Sequence, residues 1–313
     1  MTIELQPLRR IAAYAICTDH AQRILMIRES ARSGTPGVWT LPGGGVTHGE
    51  APAHAVVREA LAETGALVRA RELVDVLADT RALPHRGVTI HTDRIIFWAD
   101  IVEPPRLGVT SPMVDEAAWV SLEEASGLQL RPFVANALKL PLSAVDLPPE
   151  QMPELPGFHI INDPDGRPTV QRFAAYGLVS DSSGRVLLTQ VAAGFPDAGC
   201  WHLPGGGTDF GEQPAQALLR ELVEETGQEG RVRGLLGVAS HHEAEQVGPE
   251  GFPIDWHGVR PYYDVVVDDP RPVAVADVGG STVGARWFSR AEAASLAITP
   301  VTAEAFASAG IAA

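Results

Sequence analysis

Three carboxylates, Glu221, Glu224 and Glu225, stand at i, i+3 and i+4 just downstream of three consecutive glycines, Gly205–Gly207. After Pro214 the stretch reads as a helix: Ala217, Leu218 and Leu222 supply an apolar stripe and Gly227 a C-terminal stop. On a helix the three glutamates share one face, where like charges cost a few tenths of a kcal/mol per pair. No lysine on this segment offsets them (Lys139 is the only lysine in the chain), so a cation is expected to. A row of carboxylates suits a hard cation such as Mg²⁺ or Mn²⁺, which prefers oxygen ligands. Such a metal can bridge phosphate oxygens, neutralise developing charge and activate a water. Glycines ahead of a helix let backbone approach a ligand closely, and the helix N-terminus favours anions. Phosphoryl chemistry asks little more of a protein than positioning and charge.

The whole pattern is Gly-x5-Glu-x7-Arg-Glu-aliphatic-x-Glu-Glu-x-Gly, carried by Gly206, Glu212, Arg220, Glu221, Leu222, Glu224, Glu225 and Gly227. It resembles the Nudix box at eight spaced positions. Gln228 departs, standing where an aliphatic residue is usual. The resemblance extends over nearly the whole chain as two Nudix-like domains. It implies that Glu224 and Glu225 bind Mg²⁺ (or Mn²⁺) with help from the Gly205 carbonyl. Glu221 would bind metal or orient the attacking water, and an Arg220–Glu212 ion pair would fix the loop against the helix. The general base varies in this family. Glu243 and Glu245, read here as lying in a loop, are the candidates outside the box.

The chain repeats itself. AAYAICTDHAQRILM (12–26) matches AAYGLVSDSSGRVLL (174–188) at an offset of 162, which holds without a gap through Thr64-Gly65 and Thr226-Gly227. His91 and Arg94 match His257 and Arg260 at 166, and Trp119, Ser121, Glu124 and Pro132 match Trp287, Ser289, Glu292 and Pro300 at 168. One fold is therefore used twice. Ser121-x-x-Glu124 and Ser289-x-x-Glu292 read as capping boxes, and Pro132 and Pro300 as first-turn prolines of a final helix. Each copy reads as strand, turn, strand, then a short Trp-x-Leu-Pro strand, a glycine loop and the long helix, with further strands such as 94–102 and 261–267 before the terminal helix. Mixed elements of this kind predict an α/β fold with helices on both faces of a sheet. By resemblance it is two tandem Nudix-type α/β/α sandwich domains with a mixed sheet. The expected boundaries are 8–140 and 170–309, separated by a Pro-rich linker at 141–169 that carries Pro141, Pro148, Pro149, Pro153 and Pro156.

The first copy departs from the pattern. Its residues are Gly44, Glu50, Arg58, Glu59, Ala60, Ala62, Glu63 and Gly65, so Ala62 stands where Glu224 stands in the second. One implied metal ligand is gone. Glu50, Arg58, Glu59 and Glu63 make a weak or vestigial first site, and catalysis is expected mainly in the second domain.

Composition excludes several classes. The 313 residues are 45% hydrophobic and 20% charged, which fits two packed domains rather than disorder. A formal net charge of −15 argues against a nucleic acid polymer or an anionic membrane as partner. Cys17 and Cys200 occupy non-equivalent places in the repeat, so no disulfide is expected. The N-terminus has no apolar signal core, and a cytoplasmic location is expected. His241-His242 reads as solvated loop, Trp39 and Trp201 as packing residues, and Tyr262-Tyr263 as alternating strand residues of which at most one faces a pocket.

The leading expectation is a divalent-metal-dependent hydrolase of a pyrophosphate bond in a nucleoside diphosphate derivative: a nucleotide-sugar, a dinucleotide or a nucleoside triphosphate. The alternative is a nucleotide-sensing or regulatory protein without turnover, which the degenerate first copy fits. A third reading, an isoprenoid diphosphate isomerase, would need a reactive thiol such as Cys200. Two similar domains on one chain also suggest an intramolecular pseudo-dimer.

Overall fold

The computed structural model describes residues 5–33, 35–84, 87–108, 111–141, 158–162, 168–247, 253–276 and 280–311. The chain divides into two units, Met1–Pro153 and Glu154–Ala313.

The first unit runs β1 (Gln6–Ile16), β2 (Ile24–Glu29), β3 (Trp39–Thr40), β4 (Gly43–Gly45), α1 (Pro52–Thr64), β5 (Leu67–Leu83), β6 (Val88–Glu103), β7 (Val114–Val120), α2 (Leu122–Ser126) and α3 (Pro132–Ala137). Its sheets have the orders β4-β1-β6-β5 and β3-β2-β7. β1 and β6 run parallel, and their neighbours are antiparallel. The second unit opens with an additional strand, β8 (Phe158–Asn162), and then repeats this course as β9 (Pro168–Asp181), β10 (Val186–Val191), β11 (Trp201–His202), β12 (Gly205–Gly207), α4 (Pro214–Thr226), β13 (Arg231–Val247), β14 (Pro253–Val267), β15 (Thr282–Phe288), α5 (Arg290–Ala293) and α6 (Pro300–Ser308). The parallel pair is now β9 and β14.

Alternation along the central strand places the helices on opposite faces. Ala174, Tyr176 and Leu178 of β9 join a core with Val301, Ala305 and Phe306 of α6. Ala175 and Val179 join another with Leu218 and Leu222 of α4. In the first unit Ala12, Tyr14 and Ile16 pack with Phe133 and Val134 of α3, while Ala55, Val56 and Ala60 of α1 are fully buried. Each unit is thus an α/β/α sandwich around a mixed sheet. Tyr262 and Tyr263 alternate as expected: both are buried, one in each core of the second unit. Trp39 is buried in the first core, and Trp201 packs against the corresponding second one.

The helix that carries the carboxylates is delimited in both copies by the same two residue types. Proline opens it, where a missing N–H costs nothing. Glycine closes it in the left-handed region, with φ of 70° at Gly65 and 69° at Gly227. Both capping boxes are formed, Ser121 with Glu124 and Ser289 with Glu292, and Pro132 and Pro300 open α3 and α6.

Three expectations are corrected. The glycine runs are not loops but short strands, β4 and β12, antiparallel to β1 and β9. Close approach explains why the residues are glycine: a Cβ on Gly205, whose φ is 135°, would lie 2.2 Å from the Ala175 carbonyl oxygen, and one on Gly43 would lie 2.2 Å from that of Ala13. Next, the 141–169 segment is not linker throughout. Phe158–Asn162 pairs with β9, which itself begins at Pro168. Pro148, Pro149, Pro153 and Pro156 lie outside the described residues. Finally, His241, His242, Glu243 and Glu245 are exposed residues of strand β13 rather than of a loop. Cross-strand pairing with β14 overrides their polar composition. Among the described residues no helix is long and apolar enough to cross a membrane.

Candidate metal-carboxylate site

In the second domain α4 and β12 bring Glu212, Arg220, Glu221, Glu224 and Glu225 together. Arg220 is the hub. Its Nε and Nη2 donate to the two carboxylate oxygens of Glu212, each at 3.0 Å. Nη2 also donates to the Gly207 carbonyl at 3.0 Å, and Nη1 to Glu221 at 2.9 Å and Glu224 at 3.3 Å. The loop is tied to the helix as the resemblance implies. The guanidinium also offsets part of the repulsion that sequence alone assigned to a missing cation, and its own pKa is raised, chiefly by the hydrogen bond to Glu212.

The glutamates do not share one environment. Glu225 is 3% exposed and turned into the fold, where it accepts from the Gly205 N–H at 2.9 Å and from the Thr282 hydroxyl. Glu224 has a half-exposed side chain. Glu221 lies between them, and its pKa is raised first by burial, with Glu224 adding and Arg220 and Arg172 opposing. Its carboxylate sits against Gly206, where a Cβ would lie 2.7–2.9 Å from carboxylate atoms. Glycine at that position lets a carboxylate lie flat on the loop backbone.

The first domain repeats the frame. Arg58 chelates Glu50 at 2.9 and 2.8 Å and donates to Glu59 and to the Gly45 carbonyl. The hydrogen bond from Arg58 holds the Glu50 carboxyl down at about 2. A Cβ on Gly44 would lie 2.8 Å from the Glu59 carboxylate. Glu63 accepts from the Gly43 N–H at 2.9 Å, as Glu225 does from Gly205. Two things differ. Ala62 leaves the helix face without the third carboxylate, and Val114, at the register position of Thr282, offers Glu63 no hydroxyl. Burial then pushes the Glu63 carboxyl up to about 8, and the charges of Glu59 and Glu29 add to this.

The NUDIX domain model matches residues 8–140 and 170–308, the greater part of the chain. The chain belongs to the NUDIX domain family. Curated relatives match over short segments. ADP-ribose pyrophosphatase of Methanocaldococcus jannaschii is 43% identical over 53 residues, 17% of this chain and 31% of that protein. The 8-oxo-dGTP diphosphatase of Haemophilus influenzae is 45% identical over 53 residues, 17% of this chain and 39% of that protein. Human diphosphoinositol polyphosphate phosphohydrolase 3-alpha is 36% identical over 81 residues, 26% of this chain and 46% of that protein. The chain thus spans less than half the length of each of these relatives. Among solved structures, the MutT protein of Methanosarcina mazei Go1 aligns at a TM-score of 0.37 and 26% identity, over 43% of this chain and 94% of that one. The NUDIX domain of Shewanella oneidensis NrtR, in complex with ADP ribose, aligns at 0.36 and 19% identity, over 47% and 91%.

Some members of this NUDIX site were not foreseen. Thr282 arrives from β15, far along the chain from the helix, and no local pattern marks it. Arg172 and its counterpart Arg10 recur at the 162 offset, which was a usable signal. The Arg172 guanidinium comes within 3.3 Å of where a Gly207 Cβ would be. His202 hydrogen-bonds Thr299 through Nδ1 at 2.6 Å, and burial, then Arg260 and Arg172, hold its pKa down at about 3, so it is neutral. Gln228 is fully buried; its amide donates to the Thr226 and Arg271 carbonyls and accepts from the Arg271 N–H. That network is why a polar residue stands where an aliphatic one is usual.

Glu243 pairs with Trp256 as Arg81 pairs with Ile90 in the first domain. Glu245 falls in a β-bulge, so Gln246 takes the register place of Leu83. His242 donates to or accepts from Asp255 at 2.7 Å. Cys17 is buried and its thiol is pushed up to about 12, chiefly by burial, while Cys200 is free.

Proposed function

We propose that this protein hydrolyses a pyrophosphate bond in a nucleoside diphosphate derivative, using a divalent cation and mainly the second domain. The observation that carries this is the set of three carboxylates on α4, with Glu225 buried, Glu221 partly buried and Glu224 half-exposed, against a strand whose Gly205 and Gly206 leave no room for a Cβ. The donors fit a hard cation: all are oxygens, and they are crowded enough that burial and mutual charge raise the Glu221 pKa. Glu221, Glu224, Glu225 and the Gly205 carbonyl would hold Mg²⁺ or Mn²⁺. Bound there, the metal supplies neutralisation of diphosphate charge and acidification of a water.

The chain's own groups do the rest. Arg220 sets the directions of Glu221 and Glu224 and keeps Glu212 and the loop in place. The Gly205 N–H and Thr282 fix the Glu225 carboxylate so that it needs no reorganisation. Arg172 offers positive charge beside Glu221 for a phosphate. Glu243 is the candidate for proton removal outside the box, since its first-domain counterpart Arg81 lines that domain's cavity. Two relatives are named for ADP-ribose and 8-oxo-dGTP, which supports a nucleotide-sugar or nucleoside triphosphate substrate; a dinucleotide carries the same pyrophosphate bond.

The test is product release from ADP-ribose, NADH, dinucleoside polyphosphates and nucleoside triphosphates with Mg²⁺. Wild type is compared with Glu224→Gln, the ligand change that disturbs packing least. Loss of about a hundredfold or more in turnover is expected. Equal activity in Glu224→Gln, or turnover that survives chelation, would overturn the proposal. Binding without turnover on every substrate would favour the sensing alternative.

A further inference from the structure

The first domain contains a cavity of about 250 Å³ directly over the degenerate carboxylate set, reaching Glu59, Glu63, Gly43 and Gly44. Several of its register counterparts in the second domain differ in charge. Arg81 stands where the second domain has Glu243, each pairing with the matching residue of the next strand. Arg131 stands where it has Thr299: both donate their N–H to the carbonyl of the repeated tryptophan, Trp39 or Trp201. Ala62 replaces Glu224 on the helix. Against these, Glu29 replaces Val191 and Asp79 replaces His241. Two charges gained from Arg81, one from Arg131 and one from Ala62, less one each for Glu29 and Asp79, leave the first site two units more positive than the second.

The positive groups have different duties. Arg94 is committed: it chelates Asp79 at 2.9 Å through two nitrogens, donates to the Tyr14 hydroxyl, and stacks over Phe133 at 4.2 Å, forming the floor. Arg131 is held by Glu29 at 2.7 Å. Arg10 is exposed and, among the described residues, donates a 3.2 Å bond to the neutral Thr92 hydroxyl. Arg10 and Arg81 lie on β1 and β5, the two strands that flank β6. The rest of the lining combines apolar Ile27, Ile90 and Met113 with the carboxylates of Glu29, Glu59 and Glu63. The cavity thus offers both guanidinium groups and apolar surface to a ligand.

We infer that this cavity is a cation-independent binding site for an organic phosphate of nucleotide size, held by Arg10 and Arg81 and not cleaved. Guanidinium groups pair with phosphate oxygens in a planar, forked geometry and carry their charge permanently, so they replace what a metal would supply for binding. They do not activate water, and the helix face lacks its third carboxylate. The apolar residues give the organic part of the ligand a surface that inorganic phosphate cannot use.

The test is calorimetric titration of the full chain with ADP and AMP in excess EDTA, with inorganic phosphate as competitor. One nucleotide per chain is expected to bind. Arg10→Ala and Arg81→Glu are each expected to weaken binding about tenfold or more, and Glu224→Gln to leave it unchanged. Arg10 is exposed, so Arg10→Ala stays informative if the Arg81 variant does not fold. The inference is overturned by absence of binding in EDTA, by loss in Glu224→Gln with retention in both arginine variants, or by phosphate competing as well as ADP does. The readout is binding in chelator, so its failure is separate from any failure of hydrolysis in the second domain.

Discussion

Glu63 makes the sharpest physical prediction. Its carboxyl is buried beside Glu59 and Glu29 and accepts from the Gly43 N–H, and burial first of all raises its pKa from 4.5 to about 8. In the unfolded chain it titrates near the ordinary value. Between those limits the folded protein binds a proton that the unfolded chain does not. Stability contributed by this group is therefore present at low pH, falls as pH rises through the window from 4.5 to about 8, and levels off above it. Each pKa unit is worth about 1.4 kcal/mol, which sets a ceiling of about 5 kcal/mol. The residue keeps some exposure to water, and this with relaxation around the charge discounts the ceiling to about 2–3 kcal/mol.

Glu63→Gln keeps the acceptor for the Gly43 N–H and removes the titration. At pH 8.5 the variant should be more stable by about 2–3 kcal/mol, a rise of about 4–12 °C in the first-domain transition at about 2–4 °C per kcal/mol. At pH 4.5 it should match wild type. Scanning calorimetry of the full chain at both pH values measures this, and hydrogen exchange at Gly43 assigns the transition to the first domain. A variant no more stable at pH 8.5 than at pH 4.5, relative to wild type, would refute the reasoning.

Other perturbations test the frame itself. Gly206→Ala places a Cβ 2.7–2.9 Å from Glu221; Mg²⁺-dependent turnover should fall about tenfold or more while the melting temperature stays within a few degrees. Arg220→Met removes charge-assisted bonds to Glu212, Glu221 and Glu224 and should destabilise the second domain by about 1.5–3 kcal/mol. Mg²⁺ should restore part of that loss, and a melt series with and without the cation reads it directly. Ala62→Glu completes the first-domain helix face and should raise the number of Mn²⁺ ions bound per chain, counted by electron paramagnetic resonance.

Much of this was legible in the sequence because it is local. The α4 helix is fixed by Pro214, an apolar stripe and Gly227, all within one segment. The capping boxes are four-residue devices, and the repeat is visible wherever neither copy carries an insertion. What was not legible depends on partners brought in by the sheet. The three glutamates looked alike in sequence, yet Glu225 is buried because Thr282 and the Gly205 N–H receive it. Glu243 and Glu245 looked like loop residues because they are polar, yet pairing with β14 makes them strand. The glycine run looked like a flexible loop, when its absent side chains allow strand β12 to lie against Ala175 and Tyr176. Gln228 looked like a defect in the pattern, and its meaning appears only with the Arg271 backbone beside it.

The two copies also act as controls for each other. The arginine clamp, the glycine strand and the glycine N–H on the last glutamate occur in both, with the same partners and closely similar distances. They persist in a copy that has lost a carboxylate from the helix face. Their shared role is therefore architectural: they hold the loop to the helix whether or not a cation is to be bound. A difference in what the domains do must come from the positions that differ, namely Ala62 and Glu224, Val114 and Thr282, Arg81 and Glu243, and Arg131 and Thr299. Ala62, Arg81 and Arg131 each make the first site more positive, while Glu29 in place of Val191 and Asp79 in place of His241 offset part of that gain. In the functions proposed here the second site takes a cation between its carboxylates and the phosphate, whereas the first binds through arginine.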